Sequence, residues 1–132
     1  MSYRILIVDD SPIIRSVTKK IIGMCGLDVA GLYEAANGLE ALKILGEEWI
    51  DVVFADINMP EMNGIELVEK MVADDMLKSV PVVIVSTERS EVRIAALKEM
   101  GVKAYIKKPF RPEEFQAAVE EVLGVVNSGE PQ

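Results

Sequence analysis

The chain has 132 residues, half of them hydrophobic, with 14 lysines and arginines against 22 aspartates and glutamates, for a formal net charge of −8. That length supports one domain with one core. The apolar fraction excludes a disordered chain, and the acidic balance argues against nucleic acid as the partner.

Two further counts narrow the chemistry. There is no histidine, which removes a Ser-His-Asp triad, a histidine general base and a zinc-protease motif. The single cysteine, Cys25, cannot form an internal disulfide, as expected in a reducing cytoplasm. No apolar run approaches the ~20 residues that cross a bilayer. The opening run, Ile5 to Val8, is too short and too soon followed by charge for a secretory signal.

In chain order, Ile5 to Val8 reads as a strand buried on both faces, ending at Asp9 and Asp10. Ser11 and Pro12 suit the cap and first position of a helix whose apolar stripe is Ile13, Ile14, Val17, Ile21 and Met24, and Gly26 ends it. Val29 to Ala35, interrupted by Gly31, reads as an edge strand. Asn37 and Glu40 have capping-box spacing, ahead of a stripe of Leu39, Leu42 and Leu45. Val52 to Ala55 is a third strand, followed by Asp56, and Ile65, Val68, Met71 and Val72 share a helix face. Val82 to Val85 is a fourth strand, followed by Ser86 and Thr87. The helix from about Ser90 to Met100 is the least amphipathic. Ala104 to Ile106 is the fifth strand, followed by Lys107 and Lys108. The last helix opens with Pro112 and two glutamates, which suit the positive end of a helix dipole, and aligns Phe115, Val119, Val122 and Leu123. Residues 1–124 thus read as one domain and 125–132 as a flexible tail. Five strand–helix units imply an α/β doubly wound parallel sheet with helices on both faces.

Such folds bind ligands outside the carboxyl ends of the strands. The residues gathered there would be Asp9, Asp10, Asp56, Ser86, Thr87, Lys107 and Lys108. Singly, each is ordinary turn or cap chemistry. Together they form a pattern: clustered carboxylates repel one another, and a divalent cation offsets that repulsion. A lysine and a hydroxyl beside such a cluster suit phosphoryl oxygens. The set is what phosphoryl transfer onto an aspartate requires.

The segments Ile-Leu-Ile-Val-Asp9-Asp10-Ser, Glu34-Ala-Ala-Asn-Gly38, Val-Val-Phe-Ala-Asp56-Ile-Asn-Met-Pro60, Met-Asn-Gly64, Val-Val-Ile-Val-Ser86 and Tyr105-Ile-Lys-Lys108-Pro109-Phe110 resemble receiver domains of two-component response regulators, above all the stand-alone chemotaxis regulators. The likeness covers about residues 3 to 124. Each piece is weak alone; all of them in order are specific. The strand order 2-1-3-4-5, of flavodoxin-like type, comes from the resemblance and not from the pattern.

The resemblance implies that Asp56 is the phosphoacceptor, taking its group from a phosphohistidine on a sensor histidine kinase. Asp10 and Asp56 would ligate magnesium, with Asp9 acting through water and the Asn58 backbone carbonyl completing the protein ligands; manganese could substitute. Lys108 would contact the phosphoryl group and precede a cis bond to Pro109. Ser86 would move toward the phosphoryl oxygens and Tyr105 would swing inward, altering the face of the fourth helix, fifth strand and fifth helix. Tyr105 also reads as plain packing. Asn58 and Glu88 occupy the positions that tune phosphoryl lifetime, a pair that hints at rapid self-dephosphorylation.

Three positions depart from the family pattern. Thr87 stands where a smaller residue is usual, which narrows access to Asp56 and leaves a one-residue choice of switch hydroxyl; spacing from Pro81 and Asp56 favours Ser86. Ile57 replaces a tryptophan found in the chemotaxis regulators, Trp49 lies elsewhere, before the third strand, and Asn63 replaces a common aspartate.

The expectation is therefore a magnesium-dependent phosphoacceptor switch, not an enzyme in the ordinary sense. It would be cytoplasmic and monomeric, without an output domain. Its output partner would be a flagellar-motor switch or another chemotaxis component. The alternatives are a phosphorelay intermediate or phosphate sink and, from another class, a haloacid-dehalogenase-type phosphohydrolase suggested by Asp56-Ile-Asn58.

Overall fold

A computed structural model describes residues 2–124; the expected tail, 125–132, lies outside the described residues. The elements are β1 (Tyr3–Val8), α1 (Pro12–Met24), β2 (Val29–Ala35), α2 (Gly38–Glu47), β3 (Val52–Ala55), α3 (Gly64–Val72), β4 (Val82–Ser86), α4 (Glu91–Glu99), β5 (Ala104–Lys107) and α5 (Pro112–Leu123). All strand pairs are parallel, in the order β2-β1-β3-β4-β5. β2 is an edge strand, as its interrupted sequence suggests, and Ser86 and Lys107 are the last residues of their strands rather than loop residues.

β3 and β4 bury every residue they contain, because helices cover both faces. One core layer takes Leu6, Val8, Val53, Ala55 and Ile84 against α2, α3 and α4. The other takes Ile5, Ile7, Phe54, Val83 and Val85 against α1 and α5, where the Phe54 and Phe115 rings stack with centroids 4.7 Å apart. Neighbouring residues of one strand alternate between the two layers, as pleating requires.

The helix caps follow the sequence closely. Ser11 Oγ accepts from Ile14 N, Asn37 Oδ1 from Glu40 N and Ser90 Oγ from Arg93 N. Gly26, just past α1, takes a φ of 75°, which costs a glycine nothing. One detail differs at α2: Glu40 bonds the N–H of Ala36, not that of Asn37, so the box is only half formed there. The reciprocal box forms instead at α3, between Asn63 and Glu66.

The stripe assigned to α1 is corrected. Ile13 is 74% exposed and Met24 66%, and Val17 is also exposed; the buried side is Thr18, Ile21, Ile22 and Cys25. The helix carries apolar residues on two adjacent stripes, and periodicity alone does not choose between them. Thr18 enters the core because its hydroxyl donates to the Ile14 carbonyl at 2.9 Å, so it brings no unsatisfied polar atom. Leu39 and Val72 likewise face outward, while Ala41 and Leu67 take the inner positions. Lys19 pairs with Glu34 across α1 and β2 at 2.8 Å.

Candidate functional site

Register builds the site. Val8 lies opposite Ala55, so Asp9 and Asp56 leave the sheet side by side. Their exits are fixed by backbone bonds: Asp9 N donates to Ala35 O at 3.0 Å, and Asp56 N to Val8 O at 2.9 Å. One carboxylate oxygen each from Asp9, Asp10 and Asp56 lies within 4.8 Å of the other two. Asp9 is buried, Asp56 half-buried and Asp10 exposed, so the cluster opens to solvent on the Asp10 side.

Two of these carboxylates are oriented alike. Asp9 Oδ1 accepts from Ser11 N at 2.9 Å, and Asp56 Oδ1 from Ile57 N at 2.7 Å. Their Oδ2 atoms both turn to Lys108 Nζ, at 2.7 Å from Asp9 and 3.3 Å from Asp56. Lys108 follows β5, its backbone N–H donates to Ser86 O at 2.9 Å, and its bond to Pro109 is cis. A single ammonium thus answers two converging carboxylates, which leaves net negative charge for a cation to offset.

The donors suit a hard metal ion. All are carboxylate oxygens, with no thiol or imidazole, the set that favours magnesium or manganese over zinc or copper. The three oxygens lie within 4.8 Å of one another, so they must draw inward to share one magnesium, whose adjacent ligand oxygens are about 2.9 Å apart. Asp9, Asp10 and Asp56 can therefore hold a divalent cation.

The hydroxyl and aromatic residues lie to one side. Ser86 is fully buried at the end of β4, and its Oγ accepts from Glu88 N at 3.2 Å. Thr87 is exposed and lines a groove with Ile14, Val17, Lys108, Pro109 and Phe110. Tyr105 is partly buried and its hydroxyl donates to the Glu88 carbonyl at 2.6 Å. Burial pushes the Tyr105 phenol above its ordinary pKa, and the Glu88 charge adds to that. The Ser90 backbone N–H holds the Glu88 carboxyl below the usual glutamate range, with Arg93 adding to the effect. Asn58 is exposed, with Oδ1 taking a 3.3 Å bond from Arg93.

Three contributors escaped the sequence reading. Arg15 donates Nη1 to the Asp9 carbonyl at 2.6 Å and Nε to Glu34, bracing the acidic loop. Arg93 bonds both Asn58 and Glu88. Gly64 packs against the backbone after β3: a Cβ there would collide with the Asp56 carbonyl oxygen and lie 2.9 Å from Ile57 Cα. The glycine had a signal, its place in Met-Asn-Gly64. The arginines had none, because their partners lie in other elements or outside the helix.

Comparison with known proteins agrees with this geometry. A family model described as "Response regulator receiver domain" matches residues 5–120. The "Chemotaxis protein CheY homolog" of Campylobacter jejuni is 38% identical over 128 residues, 96% of each chain. "Chemotaxis protein CheY1" of Helicobacter pylori is 36% identical over 122 residues, 92% of this chain and 97% of that one. Among solved structures, Vibrio cholerae chemotaxis protein CheY4 superposes with a TM-score of 0.82 at 30% identity, covering 92% of this chain and 99% of the other. A CheY-like receiver domain protein from Methanospirillum hungatei gives 0.83 at 30% identity, covering 94% and 95%. With a model match across most of the chain and relatives covered nearly end to end, the chain belongs to the response regulator receiver domain family.

Proposed function

We propose that this chain is a chemotaxis response regulator switched by phosphorylation of Asp56. The observation that carries the reading is the Asp9–Asp10–Asp56 cluster capped by Lys108 in a member of the receiver family. An Asp56 carboxylate oxygen attacks the phosphorus of a phosphohistidine on a sensor histidine kinase. The P–O bond forms as the P–N bond breaks, and the departing imidazole keeps the electron pair. Lys108, already 3.3 Å from Asp56, leaves Asp9 in part to meet a phosphoryl oxygen. The Ser86 hydroxyl donates to another, and Tyr105 follows inward. Magnesium, when bound, would offset the carboxylate charge and that of the incoming phosphoryl group. Asp10, Asp56 and the Asn58 carbonyl would hold it, with Asp9 acting through water, and manganese could stand in.

The output face is α4, β5 and α5, where Tyr105 lines a shallow groove with Lys98, Lys103, Lys107, Glu114 and Glu121. The relatives' chemotaxis names point to a flagellar-motor switch or another chemotaxis component as partner. The protein would work as a cytoplasmic monomer; no helix among the described residues is long and apolar enough to cross a membrane. The family match sets the phosphohydrolase alternative aside.

Incubation with acetyl phosphate and magnesium tests the reading. It predicts one alkali-labile phosphate that maps to Asp56 and is lost in Asp56→Asn and in chelator. Equal labelling of Asp56→Asn would contradict it.

A further inference from the structure

One side chain ties together the loops on either side of the acceptor. Arg93, in the first turn of α4, donates Nη1 to Glu88 Oε1 at 2.6 Å and to Asn58 Oδ1 at 3.3 Å. Asn58 follows Asp56 by two residues, and Glu88 follows Ser86 by two. Arg93 thereby links the segment after β3 to that running from β4 into α4. Glu88 is itself engaged on every side. Its other carboxylate oxygen accepts from Ser90 N at 3.1 Å, its N–H donates to Ser86 Oγ at 3.2 Å, and its carbonyl accepts from the Tyr105 hydroxyl at 2.6 Å.

We infer that Arg93 is a positioning residue, a clamp that holds Glu88 and Asn58 in the resting geometry and that activation at Asp56 must open. The inference rests on the phosphoacceptor reading of Asp56. For the Ser86 hydroxyl to approach a phosphoryl oxygen, the segment from Ser86 to Ser90 has to shift. That shift carries Glu88 with it through the Glu88 N to Ser86 Oγ bond, and pulls the carboxylate away from a guanidinium anchored on α4. The same shift disturbs the Glu88 carbonyl that holds the Tyr105 hydroxyl. The clamp therefore opposes the hydroxyl and the aromatic movements together. Arg93 and Glu88 side chains are 37% and 14% exposed, so solvent screens part of their attraction. A pair of that kind shifts an equilibrium by about two- to fivefold.

The test is titration of the magnesium-loaded protein with beryllium fluoride, which mimics an aspartyl phosphoryl group, followed by amide NMR. Wild type, Arg93→Ala and Arg93→Lys are compared, each with Glu88 intact and with Glu88→Gln. The clamp predicts that Arg93→Ala binds about two- to fivefold more tightly than wild type. Arg93→Lys should return toward wild type. Arg93→Ala should add less once Glu88 is Gln, because most of its hold acts through the Glu88 charge while the weaker Asn58 bond remains. Raising the salt should narrow the gap between wild type and Arg93→Ala. Equal or weaker binding by Arg93→Ala overturns the clamp. So does an undiminished gain in the Glu88→Gln background, which would mean that Arg93 does not act through Glu88. A wild type that binds no beryllofluoride contradicts the acceptor reading, and the clamp falls with it; that result is distinct from wild-type binding with Arg93→Ala unchanged.

Discussion

α3 and α4 are both nine-residue helices laid on the same face of the sheet, yet they are attached in opposite ways. α3 buries Gly64, Leu67, Val68 and Met71, and starts from a reciprocal capping box. Its first residue lies against the backbone of Asp56 and Ile57. α4 buries Leu97 alone, leaves Val92 80% exposed, and is joined to the site through polar bonds of Ser90 and Arg93. Apolar burial fixes an element in one place, whereas a few solvent-facing polar bonds can be remade at little cost. Asp56 thus sits on a rigid base, and the neighbouring helix is free to respond.

Core truncation should separate the two most sharply. Leu67→Ala is expected to cost about 2–5 kcal/mol in urea unfolding, because it empties a fully buried site in the main core layer. Val92→Ala on α4 should stay within about 0.5 kcal/mol. Equal losses would end the contrast.

Gly64→Ala comes next. A methyl there meets backbone atoms that cannot rotate away, so about 1–3 kcal/mol should be lost. Because those atoms belong to Asp56 and Ile57, the proposed labelling of Asp56 by acetyl phosphate should fall along with stability.

The caps give a finer comparison. Asn63→Ala and Ser90→Ala each remove one cap bond, worth about 1 kcal/mol. For Asn63→Ala the loss should appear in global unfolding. For Ser90→Ala it should appear mainly as faster amide exchange within α4, since a weakly packed helix opens on its own.

The smallest effect is a pH dependence at Glu88. Its carboxyl is held below the ordinary range in the fold, so its contribution to stability is complete above the unfolded value of about 4.3. That contribution is lost as pH falls through the lower folded value. Wild type should therefore exceed Glu88→Gln in urea midpoint at neutral pH, and the gap should close in acid. A gap that widened in acid would reverse the sign of the assignment.

The contrast between the two helices also marks how far the sequence could be read. Asp9, Asp10 and Asp56 were legible because they directly follow buried strands, whose apolar runs stand out, and parallel register then brings strand ends together. Alternating strand and helix patterns imply the doubly wound class, but the order β2-β1-β3-β4-β5 came only with the family resemblance. The outward turn of Ile13 and Met24 was hidden, since two apolar stripes share α1. The weak stripe of α4 was visible and proves to reflect its single buried residue. Arg15 and Arg93 were out of reach because each meets its partners through tertiary placement, and no spacing rule relates Arg93 to a glutamate outside its helix.

On the proposed reading, a phosphoryl group on Asp56 is read out through the β4–α4 side while α3 stays put. Amide chemical shifts of the magnesium-loaded protein, with and without beryllofluoride, test it most directly. Large changes are expected from Ser86 through α4 and at Tyr105, small ones across Leu67 to Val72, and none in Asp56→Asn. Changes as large in α3 as in α4, or an unaltered response in Asp56→Asn, would contradict it.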